Sequence, residues 1–359
     1  MQKLKIVYFG TPYFSADFLE KLITDEELKK IIEVKLVVTQ PDKKTGRKQI
    51  ITPSPVKVVA QKHGLKIEYL KFNKNLKLKI KNCDLALLYA FGQIIPKEIL
   101  SAPKIGFFCV HPSLLPKYRG PSPMVYPLML GDKTTGVTIY QMDDKIDHGP
   151  IIMQEEYKIL PMDQRPDLEI KLTNLAFEMF KKLIKTGVEG KGIQAARSRG
   201  VLIERAPTGM NPRQAPFLTK EQNHKQATYT RLLTKQDGYI PFETLKKALN
   251  NEPLTASQLP KIIKDYFTKN PNDKKKLIHN PKFLPAGRHG LILNLYRAFF
   301  PWPGLWTQIQ PDRLNWAYPK RLKIIDLAII DDKLILKRVQ LEGKKEVDFS
   351  TFNRAYHLV

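Results

Sequence analysis

The sequence predicts an α/β domain built around a mostly parallel sheet, followed by a smaller β-rich domain. Three observations carry that expectation. Short apolar runs rich in β-branched residues alternate with helix-like segments over roughly the first half of the chain; unbroken apolar strands are those buried on both faces, as in a parallel sheet covered by helices. The texture then changes, near residue 190, to a basic and weakly periodic stretch carrying Pro and Gly. Several short strand-like runs follow it, and 359 residues are enough for two domains.

In chain order, "LKIVYF" (4–9) reads as the first strand and "GTPYFSADFLEKLI" as a turn and helix. The "FGTPYF" turn has neither G-x-G-x-x-G nor Walker spacing, so it is a tight strand-to-helix turn and not a phosphate cradle. "VKLVVTQ" (34–40) and, after a Pro-rich loop and a helix, "DLALLYA" (84–90) are the next strands. "GFFCVH" (106–111) and "GVTIYQM" (136–142) continue the sheet. From about Pro166 to Thr186, Leu168, Leu172, Leu175, Met179, Phe180 and Leu183 recur at spacings of three and four, with Gly187 as the stop, which predicts a helix closing the first domain. The resulting division is a first domain over 1–190, a basic linker over 191–225 and a second domain over 226–359. An insertion near 243–289 contains "NPNDKKKLIHNP". In the second domain "TYTRLLTKQDGYI", "LILNLYRAFFPWPGLWTQI", "RLKIIDLAII" and "KLILKRVQL" suggest helix followed by short strands.

Composition narrows the partners. Sixty Lys and Arg against 35 Asp and Glu leave a net charge of +25, with the excess denser after residue 190. Such a field attracts polyanions, nucleic acid first and an anionic membrane surface second. Two cysteines, Cys83 and Cys109, are too few for a disulfide scaffold or a four-cysteine zinc site. No apolar run approaches the ~18 residues of a membrane-spanning helix, and "MQKLKIVYFG" leads straight into a strand, so a cytoplasmic location without membrane partners is expected, and separately a monomer.

Two strand ends carry the candidate chemistry. On a strand through "GFFCVH", Cys109 and His111 share a face, and Pro112 helps to end the strand before "SLLPKYRGPSP" with its cations Lys117 and Arg119. Asp143, Asp144, Asp147 and His148 follow the strand "GVTIYQM". A carboxylate beside an imidazole holds it in one tautomer and stabilises its charged form, which is how a general base is tuned. Read alone, the pair leaves packing and catalysis both open. His111, Asp147 and His148 are also metal-ligand types, but without H-E-x-x-H or C-x-x-C spacing no metal is expected. Lys43, Lys44, Arg47 and Lys48 lie between Pro and Gly breakers in the 39–57 loop, as befits a mobile segment contacting phosphates.

"VHPSLLPKYRGPSP" followed by "GDKTTGVTIYQMDDKIDHGPII" resembles the signature of the folate-dependent formyltransferases, which include glycinamide-ribonucleotide, amino-sugar and methionyl-tRNA enzymes. "TQPDKKTGRKQIITPSPVK" (39–57) is similar to the loop with which the methionyl-tRNA branch approaches the acceptor end of the tRNA; "TYTRLLTKQDGYI" and "YRAFFPWPG" resemble that branch's C-terminal domain. The resemblance implies a Rossmann-like formyltransferase domain and a smaller OB-like C-terminal β-barrel. It implies 10-formyltetrahydrofolate as formyl donor and the α-amine of methionyl-initiator tRNA as acceptor, in translation initiation. By the same resemblance His111 and Asp147 are the catalytic histidine and aspartate. Ser113, Leu114, Leu115 and Pro116 line the folate pocket, and Arg47 enters the acceptor stem with Lys43, Lys44 and Lys48 alongside. Two positions depart from the family. Ile240-Pro241-Phe242 stands where the family has Ile-Asp-Trp, and Cys109 stands where it has the asparagine that donates to the developing oxyanion. A thiol is a weaker donor, and losing one such donor costs on the order of 10²–10³ in rate. The readings that remain are a transferase of reduced rate, one using Cys109 as a nucleophile, an amino-sugar N-formyltransferase, and a catalytically impaired tRNA-binding homologue.

Overall fold

The computed structural model describes residues 3–46, 48–69, 74–188, 219–252, 254–273, 290–310, 316 and 318–358. The chain divides into two compact units, the first of Met1–Pro121, Thr135–Tyr157 and Glu169–Ala227, the second of Ser122–Thr134, Lys158–Leu168 and Thr228–Val359.

In chain order the elements are β1 (Leu4–Gly10), α1 (Tyr13–Thr24), α2 (Leu28–Ile31), β2 (Ile32–Thr39), β3 (Lys43–Thr45), β4 (Ile50–Thr52), α3 (Pro55–Lys62), β5 (Ile67–Tyr69), α4 (Lys74–Lys81), β6 (Leu85–Tyr89), α5 (Lys97–Leu100), β7 (Gly106–His111), α6 (Val125–Met129), β8 (Thr134–Gln141), β9 (Ile151–Lys158) and α7 (Arg165–Val188). The main sheet runs β5-β2-β1-β6-β7-β8-β9. β2 with β5, β1 with β2, β1 with β6 and β6 with β7 are parallel, and β7 with β8 is antiparallel. The mostly parallel α/β sheet expected from the apolar runs is therefore present. Strand order reverses between β1 and β6, and in open α/β sheets ligands bind beyond the carboxyl ends of the strands at such a switch.

Alternating side chains give the sheet two apolar faces. One packs Val7, Phe9, Val38, Ala86, Leu88, Phe107 and Cys109 against Leu76 and Ile80 of α4. On the other, Phe18 of α1 meets the rings of Tyr89, Phe177 and Phe180 at 5.5, 6.1 and 6.2 Å. Burying each such aromatic stabilises the fold by about 1.5–3 kcal/mol. The two buried tyrosine hydroxyls on this face are satisfied, Tyr8 by Ser15 and Tyr89 by Thr173, which removes the cost of an unpaired polar group. The β1–α1 turn is as tight as its sequence implies: a Cβ on Gly10 would lie 2.0 Å from Ser15 Oγ.

α3 starts as its sequence dictates, with Pro55 at the first helical position and Ser54 as N-cap, its Oγ accepting from Lys57 N–H at 3.0 Å. The short strands β3, β4 and β5 were not evident in the sequence, because three residues are too few to show a period. β9 was missed for another reason: its residues are mostly half-exposed or exposed, so it carries no apolar run.

The second unit has a four-stranded antiparallel sheet in the order β10 (Leu305–Ile309), β11 (Lys320–Ile330), β12 (Lys333–Leu341) and β13 (Glu346–Asp348), the small β domain expected at this end of the chain. Among the described residues the ladder is open, with β10 and β13 at its edges. The helix Gly290–Phe299 packs on α6 and on this sheet. Within the described part of the Lys-rich 243–289 stretch, helices Phe242–Leu249 and Lys261–Lys269 bury Leu245, Ala248, Ile262, Ile263, Tyr266 and Phe267. Its segment 274–289 lies outside the described residues, as does most of the 191–225 linker.

Candidate active site

β7 delivers Cys109 and His111 to the carboxyl end of the sheet, and the turn after β8 delivers Asp147. All three belong to the first unit. His111 is only 5% exposed. Its Nε2 lies 3.0 Å from the carbonyl oxygen of Tyr118. A carbonyl only accepts, so the hydrogen sits on Nε2 and, in the neutral ring, the lone pair is on Nδ1. Nδ1 faces Asp147 Oδ1 at 3.7 Å, too long for a hydrogen bond and short enough for attraction once the ring is charged. The Tyr118 carbonyl, and not the carboxylate, therefore fixes the tautomer.

The Asp147 carboxylate is itself held on both oxygens. Oδ2 accepts from Gly120 N–H at 2.6 Å, and Oδ1 accepts from the Tyr140 hydroxyl at 2.8 Å. The backbone that achieves this is unusual: Tyr118 and Asp147 have φ of +61° and +49°, and Gly120 has +107°. Glycine adopts such angles freely, whereas a tyrosine there stores on the order of 1–3 kcal/mol, a feature concentrated at functional sites.

Cys109 is buried opposite Leu88 of β6 and Tyr140 of β8. Burial first, and the Asp147 charge second, push its thiol far above the ordinary range, so it is a neutral S–H at physiological pH. Its hydrogen is directed at the Val110 carbonyl, with Sγ 3.6 Å away. That arrangement is opposite to the electropositive, partly exposed setting that activates a cysteine.

The loop after β7 is shaped by its own hydrogen bonds. Ser113 is fully buried and its hydroxyl donates to the Lys117 carbonyl at 2.7 Å. Thr138 Oγ1 donates to Ser113 O and accepts from Leu115 N–H, and Gln154 Nε2 donates to Leu115 O. Leu115 belongs to the same packed cluster as Phe91, Ile95, Cys109 and Tyr140, with half-buried Met142 against it; Leu114 and Pro116 are half-buried. The loops after β6, β7 and β8 thus share one apolar cluster, which includes Cys109 and Tyr140 beside the histidine and aspartate.

Lys43, Lys44 and Lys48 are exposed. The first two lie on β3, which pairs with β4 as a hairpin, while Arg47 lies outside the described residues. The hairpin's base is tied to α3 by Lys57 on both oxygens of Asp42, at 2.7 and 2.8 Å. The structure thus brings His111, Asp147 and Cys109 together, and it sets the hairpin lysines on a separate projection of the same unit.

Several supporting groups had not been singled out in the sequence. Tyr140 becomes visible only once the β7–β8 register puts it across from Cys109. Gln222, 5% exposed, lies in the segment read as linker: its Nε2 donates to Asp147 O at 3.0 Å and to Gly149 O at 2.7 Å, and its Oε1 accepts from Arg119 at 2.6 Å. His224 Nδ1 accepts from Arg119 at 2.8 Å, and its ring stacks on His148 at 4.0 Å. His148 Nδ1 is 2.6 Å from Asp143 Oδ2. Among the described residues no three His, Cys, Asp or Glu are grouped to hold a metal, and no helix is long and apolar enough to cross a membrane.

A switch-point α/β sheet carrying a buried histidine and a braced carboxylate beyond its strands places the chain among α/β enzyme domains. Within that class the chain belongs to the formyl transferase family, whose model matches residues 4–184. It is 36% identical over 351 residues to a methionyl-tRNA formyltransferase of Thermotoga sp. (strain RQ2), covering 96% of this chain and 100% of that one. It is 43% identical over 195 residues to a methionyl-tRNA formyltransferase of Bacillus cytotoxicus, covering 52% of this chain and 60% of that one. Its fold is similar to that of an N-formyltransferase from Helicobacter canadensis in complex with folinic acid and dTDP-3-aminofucose, with a TM-score of 0.54 and 17% identity over 96% of each chain.

Proposed function

We propose that this chain transfers a formyl group from 10-formyltetrahydrofolate to the α-amine of methionyl-initiator tRNA. The observation that carries the reading is end-to-end similarity to a methionyl-tRNA formyltransferase, 100% of which is covered by this chain. A net charge of +25 supports a polyanionic acceptor over a nucleotide sugar.

The folate supplies an already activated formyl group, so no metal is needed. The donor's flat ring system would pack against the apolar cluster under the loops after β6, β7 and β8, where Met142 is half-buried, with Ser113 to Pro116 forming one side of its pocket. In the proposed chemistry the amine attacks the formyl carbon, and His111 Nδ1 accepts the proton that the nitrogen loses. Asp147 Oδ1, 3.7 Å away, stabilises the imidazolium formed. The same proton then passes to the departing N10 of the folate as the C–N10 bond breaks. Cys109 lines the site as a neutral thiol. The 39–57 hairpin and the second domain hold the tRNA, with Lys43, Lys44, Arg47 and Lys48 on its phosphates.

The test is multiple-turnover formylation of charged initiator tRNA, with an amino-sugar nucleotide in parallel. Product on the tRNA alone supports the reading, and product on the sugar alone overturns it.

A further inference from the structure

We propose that Tyr140 is a positioning residue for this transfer, its buried hydroxyl holding the Asp147 carboxylate in place opposite the charge that forms on His111. The inference rests on the proposed reaction.

Four observations carry it. First, the His111–Asp147 contact is not a hydrogen bond in the resting site: Nε2 is committed to the Tyr118 carbonyl, and Nδ1 stands 3.7 Å from Oδ1. The carboxylate is therefore not placed by the histidine. Second, its placement comes from two donors, Gly120 N–H on Oδ2 and Tyr140 O–H on Oδ1. Tyr140 is the only side chain of the two, and it acts on the oxygen that faces the ring. Third, Tyr140 is 1% exposed on β8, packed among Phe107, Cys109 and Leu115, so its hydroxyl is delivered by a rigid strand and not by a loop. Fourth, the proton count closes. Cys109 Sγ also lies within reach of the Tyr140 hydroxyl, but a thiol is the weaker acceptor and its own hydrogen is directed at Val110 O, so the phenol proton goes to Asp147 Oδ1 at 2.8 Å; burial keeps that hydroxyl protonated.

The consequence is chemical. A donor on a carboxylate favours its charged form, and a carboxylate held rigidly at Nδ1 stabilises an imidazolium without reorganising as the proton arrives. Catalytic contact with substrate remains with His111; Tyr140 acts through Asp147.

The experiment compares wild type, Tyr140→Phe, Asp147→Asn and the double variant in the formylation assay, each first checked for an unchanged unfolding temperature. Removing one charge-assisted donor lowers kcat by about 10–100-fold, with KM for both substrates within about 3-fold. In the Asp147→Asn background, which has no charge left to hold, Tyr140→Phe costs little further. Equal penalties in both backgrounds, or a loss carried by KM instead of kcat, would overturn the proposal and leave Tyr140 as packing. If Tyr140→Phe loses its fold, the carbon-detected titration of Asp147 in the natural protein, compared with a tyrosine-fluorinated preparation, decides instead. A more acidic phenol that shifts the carboxylate supports the proposal, and an indifferent carboxylate sinks it. An inactive wild type would count against the proposed function, whereas active wild type with additive penalties counts against this inference alone.

Discussion

His111 and Cys109 sit two positions apart on one strand and differ in what their surroundings permit. The imidazole has one nitrogen fixed by the Tyr118 carbonyl and the other open toward a carboxylate. His111→Ala should therefore lower kcat by about 10²–10⁴-fold with the unfolding transition unchanged, as removal of a general base does. The thiol is neutral, buried and turned to its own strand's carbonyl. Cys109→Ala should keep the rate within about 10-fold in the same assay; a collapse of several orders of magnitude would restore a covalent thioester route. His111, before a proline at a strand end, and Asp147, in the polar stretch after β8 that Gly149 and Pro150 close, could be singled out in the sequence, but their pairing as catalytic groups came from the family resemblance. Their supports could not: Tyr140 depends on strand register, and Tyr118 contributes a backbone carbonyl whose direction follows from a positive φ that no side-chain pattern announces.

Among the elements, α3 and the segment from Thr219 to Ala227 show the two extremes of legibility. Ser54 before a proline at N1 is a readable helix start, and its Oγ also meets Thr39 Oγ1 at 2.7 Å under burial. Ser54→Ala should destabilise the first unit by about 1–2 kcal/mol in denaturant unfolding. The 219–227 segment has weak periodicity and read as linker, yet Lys220 pairs with Ile151, and Gln222 and His224 bind the turn and loop that carry Asp147 and Arg119. Desolvation of its ring, then His148 and Arg119, hold the His224 imidazolium below its ordinary range near 6.5, while Glu221 and Asp143 act the other way. A depressed value means that the native state favours the neutral ring. Docking of the segment is then fully supported above the ordinary histidine value and weakens as pH falls below it. Amide exchange over 219–227, corrected for intrinsic rates, should quicken between pH 7.5 and 5.5, and His224→Asn should abolish the change. The linker reading failed because these contacts are polar and long-range, and hydrophobic periodicity is blind to both.

Across the whole molecule, the apolar runs dictated the main sheet, since strands buried on both faces leave a continuous hydrophobic record, while β12 of the C-terminal sheet left an alternating one. The half-exposed β9 and the three-residue strands left none. Net charge speaks at this scale too. Binding of initiator tRNA should weaken linearly in log–log form with salt, and the slope should fall by about 0.7–0.9 for each phosphate-contacting lysine removed from the 39–57 hairpin. The central claim is that a His111 base, backed by Asp147, formylates a tRNA-borne amine. Its most direct test is steady-state formylation of methionyl-initiator tRNA by 10-formyltetrahydrofolate, comparing wild type with His111→Ala. Multiple turnovers are expected for the natural protein, with a loss of at least about 100-fold in the variant. Turnover that survives the loss of His111, or tRNA binding by the natural protein without any turnover, would contradict it.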